Sequence, residues 1–233
     1  MQSFQPNFSL IWQYFSEICS IPRPSGKEEK IREYLLDFAA AEGFASKVDK
    51  AGNVLITKAG NAEVVGLQAH IDMVCEKNNN VQHDFATEGI KTYIKDGWMH
   101  AEGTTLGADN GIGMAMIMAA LKEYKGDKTI EAIFTVEEET GLSGAERMEK
   151  DFFSAKTVIN LDSEEEDELI IGCAGGCTAK AHLKKEEEDI PQIAQFYIQI
   201  EVKGLLGGHS GGDIHLPRAN ANKLIGDFLR LTH

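Results

Sequence analysis

Val64-Val-Gly-Leu-Gln-Ala-His70-Ile-Asp72-Met73 is the stretch from which the fold is read. An apolar run delivers a histidine and, two residues later, a carboxylate. Residues i and i+2 of a strand face the same side, so His70 and Asp72 are expected side by side at a strand's end. An imidazole presented with a carboxylate to orient it is a common way of building a metal ligand. Alone the string is weak, but three others like it follow or open apolar elements: Gly107-Ala-Asp109-Asn-Gly111, Glu137-Glu138-Glu139 and Asn160-Leu-Asp162.

Outward from that stretch the chain alternates helix and strand. Asn7 to Cys19 carries Leu10, Ile11, Tyr14, Phe15 and Ile18 at helical spacing, and Pro22 and Pro24 break the pattern. Lys27 to Glu42 reads as a second amphipathic helix, with Gly43 just past its end. Strands are expected at 53–57 and 64–69, then a polar loop, then a hairpin turning at Asp96-Gly97. The Ala-, Met- and Ile-rich segment from Gly111 to Glu123 fits a helix buried against a sheet. Thr129 to Val136 and Thr157 to Leu161 fit interior strands. The alternation indicates an α/β class with a mixed sheet. The composition changes at the acidic segment 184–191, which sets the expected division at 1–185 and 186–233. In the second part a strand from Phe196 to Val202 and a helix from Ala219 to Leu231 are expected.

With 233 residues, 42% apolar and 26% charged, the chain has the make-up of a soluble globule with one good-sized core. Its net charge of −14 argues against nucleic acid or an anionic membrane as partner. No apolar run approaches membrane-spanning length, and Met1 to Pro6 shows no signal-peptide pattern. Cys19, Cys75, Cys173 and Cys177 are irregularly spaced and form neither a disulfide framework nor a cysteine zinc site. A cytoplasmic protein with reduced thiols is expected.

Every candidate ligand sits where a strand ends or a helix begins. In open α/β sheets, sites gather at the carboxyl ends of strands, so motifs far apart in sequence can converge. One imidazole and several carboxylates suit zinc, manganese or cobalt. A pair of such ions can polarise a carbonyl and acidify a water together. Taken singly, Asp109-Asn110-Gly111 reads as a helix cap and Glu137-Glu138-Glu139 as a solvated loop; taken jointly, the four motifs favour a metal centre.

The motifs carry a resemblance. Ile21-Pro-Arg-Pro-Ser-Gly26, His70-Ile-Asp72-Met-Val74, His83-Asp-Phe85, Thr104-Thr-Leu-Gly-Ala-Asp109-Asn-Gly-Ile-Gly113, Thr135-Val-Glu-Glu-Glu139-Thr-Gly141, Asn160-Leu-Asp162-Ser-Glu164 and Gly208-His209-Ser-Gly211 stand in order along nearly the whole chain. The sequence resembles the co-catalytic zinc peptidases that include aminoacylase, peptidase T and carnosinase. Within them it is most similar to the bacterial Xaa-His dipeptidase (aminoacyl-histidine dipeptidase, peptidase D) branch.

The resemblance implies a zinc-exopeptidase-like catalytic domain with helices on both faces of its sheet, followed by the start of an α+β lid domain. It implies two divalent metal ions, zinc or else manganese or cobalt. His70, Asp109 and Asp162 would hold one, and Asp109 would bridge to a second that Glu139 also binds. Asp72 would orient His70. Glu138 would be the general base, taking a proton from a metal-bridging water and handing it to the leaving amine. Gly141 sets this alignment of the second and third glutamates. His209 would lie on the lid and reach an active site, often the partner subunit's, to stabilise the oxyanion.

The implied substrates are small dipeptides of Xaa-His type, with homodimerisation through the lid. Family members also use a histidine near their C-terminus for the second metal, and nothing in this sequence matches it. The chain is therefore expected to be the N-terminal half of a longer enzyme. Two rival readings remain: a related tripeptidase, aminopeptidase or N-acyl amino acid amidohydrolase, and a catalytically silent metal-binding or dimerising fragment.

Overall fold

A computed structural model describes residues 8–163, 167–173, 175, 179–184, 186, 198–208 and 213–232. They fall into two compact units, 1–171 and 172–233. The first unit ends at Ile171, ahead of the acidic segment where the composition changes.

The first unit is a mixed sheet with its long helices on one face. Strands β1 (Ala45–Val48), β2 (Val54–Lys58), β3 (Ala62–His70), β6 (Lys128–Thr135) and β7 (Thr157–Asn160) stand in the order β1-β2-β6-β3-β7. β2 is antiparallel to both β1 and β6, whereas β6, β3 and β7 run parallel. Although β2 and β3 follow one another in sequence, β6 lies between them. β4 (Thr92–Lys95) and β5 (Trp98–Ala101) form a separate hairpin whose turn is Asp96-Gly97, as the sequence predicts.

Helices α1 (Phe8–Cys19), α2 (Glu29–Glu42) and α3 (Ala108–Glu123) pack on the sheet face that carries Val54, Ile56, Ala69, Ile130, Ala132 and Phe134. Alternation along β6 puts Ile133 on the opposite face with Leu55 and Phe152. That face is covered by the segment around the short helix α4 (Ser143–Glu146) and Phe152. Glu131, also on that side, is buried and accepts hydrogen bonds from the amides of Ser154 and Ala155.

Local sequence accounts for the helix limits. Gly43 ends α2 at φ 72°, with the amide of Phe44 bonded to Ala39 O at 2.8 Å and Phe44 packed on Phe38. This is the glycine stop in which a left-handed residue satisfies the last carbonyls. α3 is apolar on most sides (Met114, Ala115, Ile117, Met118 and Leu121 are buried), as a helix laid between α1 and the sheet must be. Its first residues depart from helical geometry. Asp109 and Asn110 are non-helical and joined by a cis peptide bond, so the regular helix starts at Gly111.

In the second unit, α5 (Ala221–Thr232) is capped by Asn220, whose Oδ1 accepts the Lys223 amide at 3.1 Å. Of the strand expected from Phe196 to Val202, residues 198–202 have no ladder partner among the described residues, and 196–197 lie outside them. An apolar, β-branched segment makes a strand only where a neighbour supplies the other half of the ladder. Among the described residues no helix is long and apolar enough to cross a membrane.

Candidate metal centre

The three parallel strands β6, β3 and β7 place their carboxyl ends side by side. β3 is the middle one, and its last residue is His70, paired in register with Thr135. Glu137 to Glu139 follow immediately beyond β6. On the other flank Gln68 is in register with Asn160, so Asp162 comes level with His70. The start of α3 supplies Asp109 from beyond the sheet.

His70 is buried and faces carboxylates at both ring nitrogens. Nδ1 lies 3.2 Å from Asp72 Oδ1 and 3.1 Å from the Asp72 carbonyl. Nε2 lies 2.9 Å from Asp109 Oδ1 and 4.0 Å from Asp162 Oδ1. Burial by itself disfavours the charged ring, but the hydrogen bonds with Asp109 and Asp72 and the charge of Asp162 outweigh it and push its pKa up to about 10. Two groups of possible ligand atoms, each within 4.8 Å, share this histidine: His70 with Asp109 and Asp162, and His70 with Glu138 and Glu139.

Asp72 does more than face the ring. It is fully buried, and Oδ1 also accepts the Glu138 amide at 3.0 Å. Its Oδ2 accepts the Glu139 amide at 3.2 Å and the Ser25 hydroxyl at 2.7 Å. One carboxylate thus holds the imidazole and the backbone of both glutamates. Burial opposes its charge, yet the hydrogen bonds from His70, Ser25 and Glu138 keep its carboxyl below the ordinary range.

Glu137 is turned away, at φ 51°. Its Oε2 accepts the Ser143 hydroxyl at 2.6 Å and Arg147 Nη2 at 3.0 Å. Its amide donates to buried Glu28. The carboxyls of Glu138 and Glu139 face inward. Burial first, and neighbouring carboxylates second, push both up.

The structure therefore brings together His70, Asp72, Asp109, Glu138, Glu139 and Asp162. His209 lies outside the described residues. The set contains one imidazole and no thiolate, and its carboxylates come from four segments: Asp72 after β3, Asp109 at the start of α3, Glu138 and Glu139 after β6, and Asp162 after β7. That donor chemistry fits a divalent cation of the zinc, manganese or cobalt kind.

Four polar residues behind the ligands have no role in the sequence reading. Arg23 and Ser25 lie in the Ile21-Pro-Arg-Pro-Ser-Gly26 string, Glu28 at the start of the second expected helix and Asn53 at the start of an expected strand, yet Arg23, Glu28 and Asn53 are buried. Asn53 donates to Asp49 and the Gly144 carbonyl and accepts the Val136 amide, tying the end of β6 to α4. Only the ordered break Ile21-Pro-Arg23-Pro-Ser25 hinted that a charged residue was held in place.

The chain matches known proteins in sequence and in fold. The profile of Peptidase family M20/M25/M40 matches residues 66–213. The chain is 45% identical over 225 residues to the cytosol non-specific dipeptidase of Escherichia coli (strain K12), covering 94% of this chain and 46% of that protein. Aminoacylhistidine dipeptidase from Vibrio alginolyticus superposes with a TM-score of 0.70 at 41% identity, covering 98% of this chain and 48% of that one. Aminopeptidase PepT from Bacillus cereus superposes at 0.58 with 27% identity, over 69% of this chain and 44% of its own. The chain spans about half the length of these relatives.

Proposed function

The chain belongs to peptidase family M20/M25/M40, and from that premise we propose that its centre serves metal-dependent hydrolysis of dipeptides, those with C-terminal histidine included. The observation that carries the reading is the double engagement of His70: one buried imidazole is the common member of both carboxylate groups. The names of the similar proteins support the dipeptide class, one non-specific and one acting on aminoacyl-histidine.

In this reading His70, Asp109 and Asp162 hold one cation, and Asp109 and Glu139 contribute to a second. Bound there, the cations supply Lewis-acid polarisation of the scissile carbonyl and acidify a water. Glu138 takes one proton from the water as its oxygen attacks the carbonyl carbon. The same carboxyl then gives that proton to the amide nitrogen as the C–N bond breaks, leaving one carboxylic acid and one amine. His209 would supply an oxyanion donor. The protein works in the cytoplasm as a homodimer joined through the lid.

The test is an assay of the chain, and of a version extended to its relatives' full length, with zinc, manganese or cobalt. The substrates are alanyl-histidine, β-alanyl-histidine, a tripeptide and an N-acetyl amino acid. Turnover of the dipeptides is expected, with Glu138→Gln lowering it about 100- to 10,000-fold while metal still binds. Preference for the tripeptide or the acetyl compound would refute the dipeptidase reading.

A further inference from the structure

Arg23 stands out among the buried groups that the proposed chemistry does not use. It is 2% exposed, and its hydrogen bonds among the described residues all go to main-chain carbonyls. Nη1 donates to Ile71 O at 3.0 Å and to Asp72 O at 2.8 Å. Nη2 donates to the carbonyl of Gly107. The segment is fixed beside the strand end by a parallel bridge between Pro24 and Met73.

Those acceptors belong to two different elements. Ile71 and Asp72 continue β3 just past His70. Gly107 O is the carbonyl that accepts the Gly111 amide at 3.1 Å and so begins α3 just ahead of Asp109. The guanidinium therefore spans the joint between the element that presents His70 and the one that presents Asp109. The two facing atoms, Nε2 and Oδ1, are 2.9 Å apart. A planar fork can bond one strand through one nitrogen and a second element through the other; an ammonium, with its donors on a single atom, cannot.

The glycines of Gly107-Ala-Asp109-Asn-Gly111 record the same joint. A Cβ at Gly107 would lie 2.6 Å from Arg23 Nη2, and one at Gly111 would lie 2.8 Å from it. Both positions are glycine where the guanidinium passes. Arg23 and this motif, 84 residues apart at Gly107, thus form one packed unit.

We propose that Arg23 is a positioning residue of the metal centre: its fork sets the separation of His70 from Asp109 and thereby the affinity and geometry with which a divalent cation is held. The inference rests on the metal reading of the preceding section and adds to it a residue outside the ligand set. A buried cation that acted by charge alone would weaken binding of a second cation by repulsion. A fork that positions ligands strengthens it. The two roles therefore predict opposite signs on removal.

The experiment titrates cobalt(II) into the 233-residue chain, recording affinity and the visible absorption spectrum, with far-UV circular dichroism on each metal-free variant. Arg23→Lys keeps the charge and loses the fork; it is expected to weaken cobalt binding about 10- to 100-fold, the usual range for groups that orient ligands, and to alter the spectrum. Gly111→Ala, which pushes a methyl against the guanidinium, is expected to weaken binding in the same direction. In the double variant with Arg23→Met it should add little to Arg23→Met alone. Should Arg23→Met fail to fold, Arg23→Lys and Gly111→Ala decide the matter. A folded Arg23→Lys that binds cobalt with wild-type affinity and spectrum would overturn the proposal and leave the metal reading intact. A wild-type chain that binds no cobalt would overturn both.

Discussion

Replacing Asp72 by alanine tests how much of the centre is held by one carboxylate. The side chain is fully buried and accepts from Ser25 Oγ, from the amides of Glu138 and Glu139 and from His70. Ser25 can turn to another acceptor, but the two amides are fixed by the backbone. A hydrogen bond to a charged group contributes about 1.5–3 kcal/mol, so losing both costs about 3–6 kcal/mol. Relief of repulsion on Glu138 and Glu139 is offset by the lost attraction to the His70 imidazolium. The expectation for the metal-free protein is a loss of about 3–6 kcal/mol. Urea unfolding followed by circular dichroism in the presence of a chelator measures it. Cobalt titration of the folded variant should show binding about 10- to 100-fold weaker. Asp72→Asn keeps one acceptor oxygen and should fall between wild type and alanine. Because the folded Asp72 carboxyl lies below its ordinary value, its contribution is present above about pH 4 and fades as pH falls through the folded value. An alanine variant with the wild-type urea midpoint and wild-type metal affinity would refute the role assigned to this carboxylate.

Other outcomes follow from the same packing. Zinc or manganese at 100 times its dissociation constant should stabilise the chain by about 2.7 kcal/mol, raising the melting temperature, and a chelator should abolish the rise; an unchanged melt would count against the metal centre. Leu35→Ala, in the core under α2 and away from the ligands, should cost about 2–5 kcal/mol in urea and leave cobalt affinity unaltered. Cys19 is buried and its thiol is pushed up to about 11, chiefly by burial. Peptide mapping after iodoacetamide at neutral pH should therefore find exposed Cys173 modified and Cys19 intact until urea is added.

The sequence made the outline of this centre legible because each ligand stands at the limit of a periodic element. The apolar run into His70, the β-branched run into Glu137 and the strand before Asp162 each announce their own ends. The sheet order was not legible. β2 and β3 look like neighbours across the Gly60-Asn61 turn, and only tertiary pairing reveals that β6 lies between them. Residues 198–202 erred the other way, since their apolar character is real but no partner strand meets them among the described residues. The buried polar layer was also hidden. Arg23 and Glu28 carry no periodic signal, and burial of a charged side chain depends on carbonyls and amides contributed by segments far along the chain, 49 residues away for Arg23 and Asp72 and 109 for Glu28 and Glu137. Of the three adjacent glutamates, local pattern alone could not separate Glu137 from its neighbours. Its partners Ser143 and Arg147 do so in the folded chain.

The insertion of β6 between β2 and β3 also bears on how the chain assembles. Two strands joined by a short turn would zip together quickly, but here the earlier pair must leave a gap for a strand made some sixty residues later. Closing that gap carries the entropy of a long loop and is slow relative to local contacts. The ligands on β3 and those beyond β6 meet only once the late strand lies between its neighbours, so the group of His70 with Glu138 and Glu139 is complete only in the correctly ordered sheet, whereas the group of His70 with Asp109 and Asp162 needs no residue from β6.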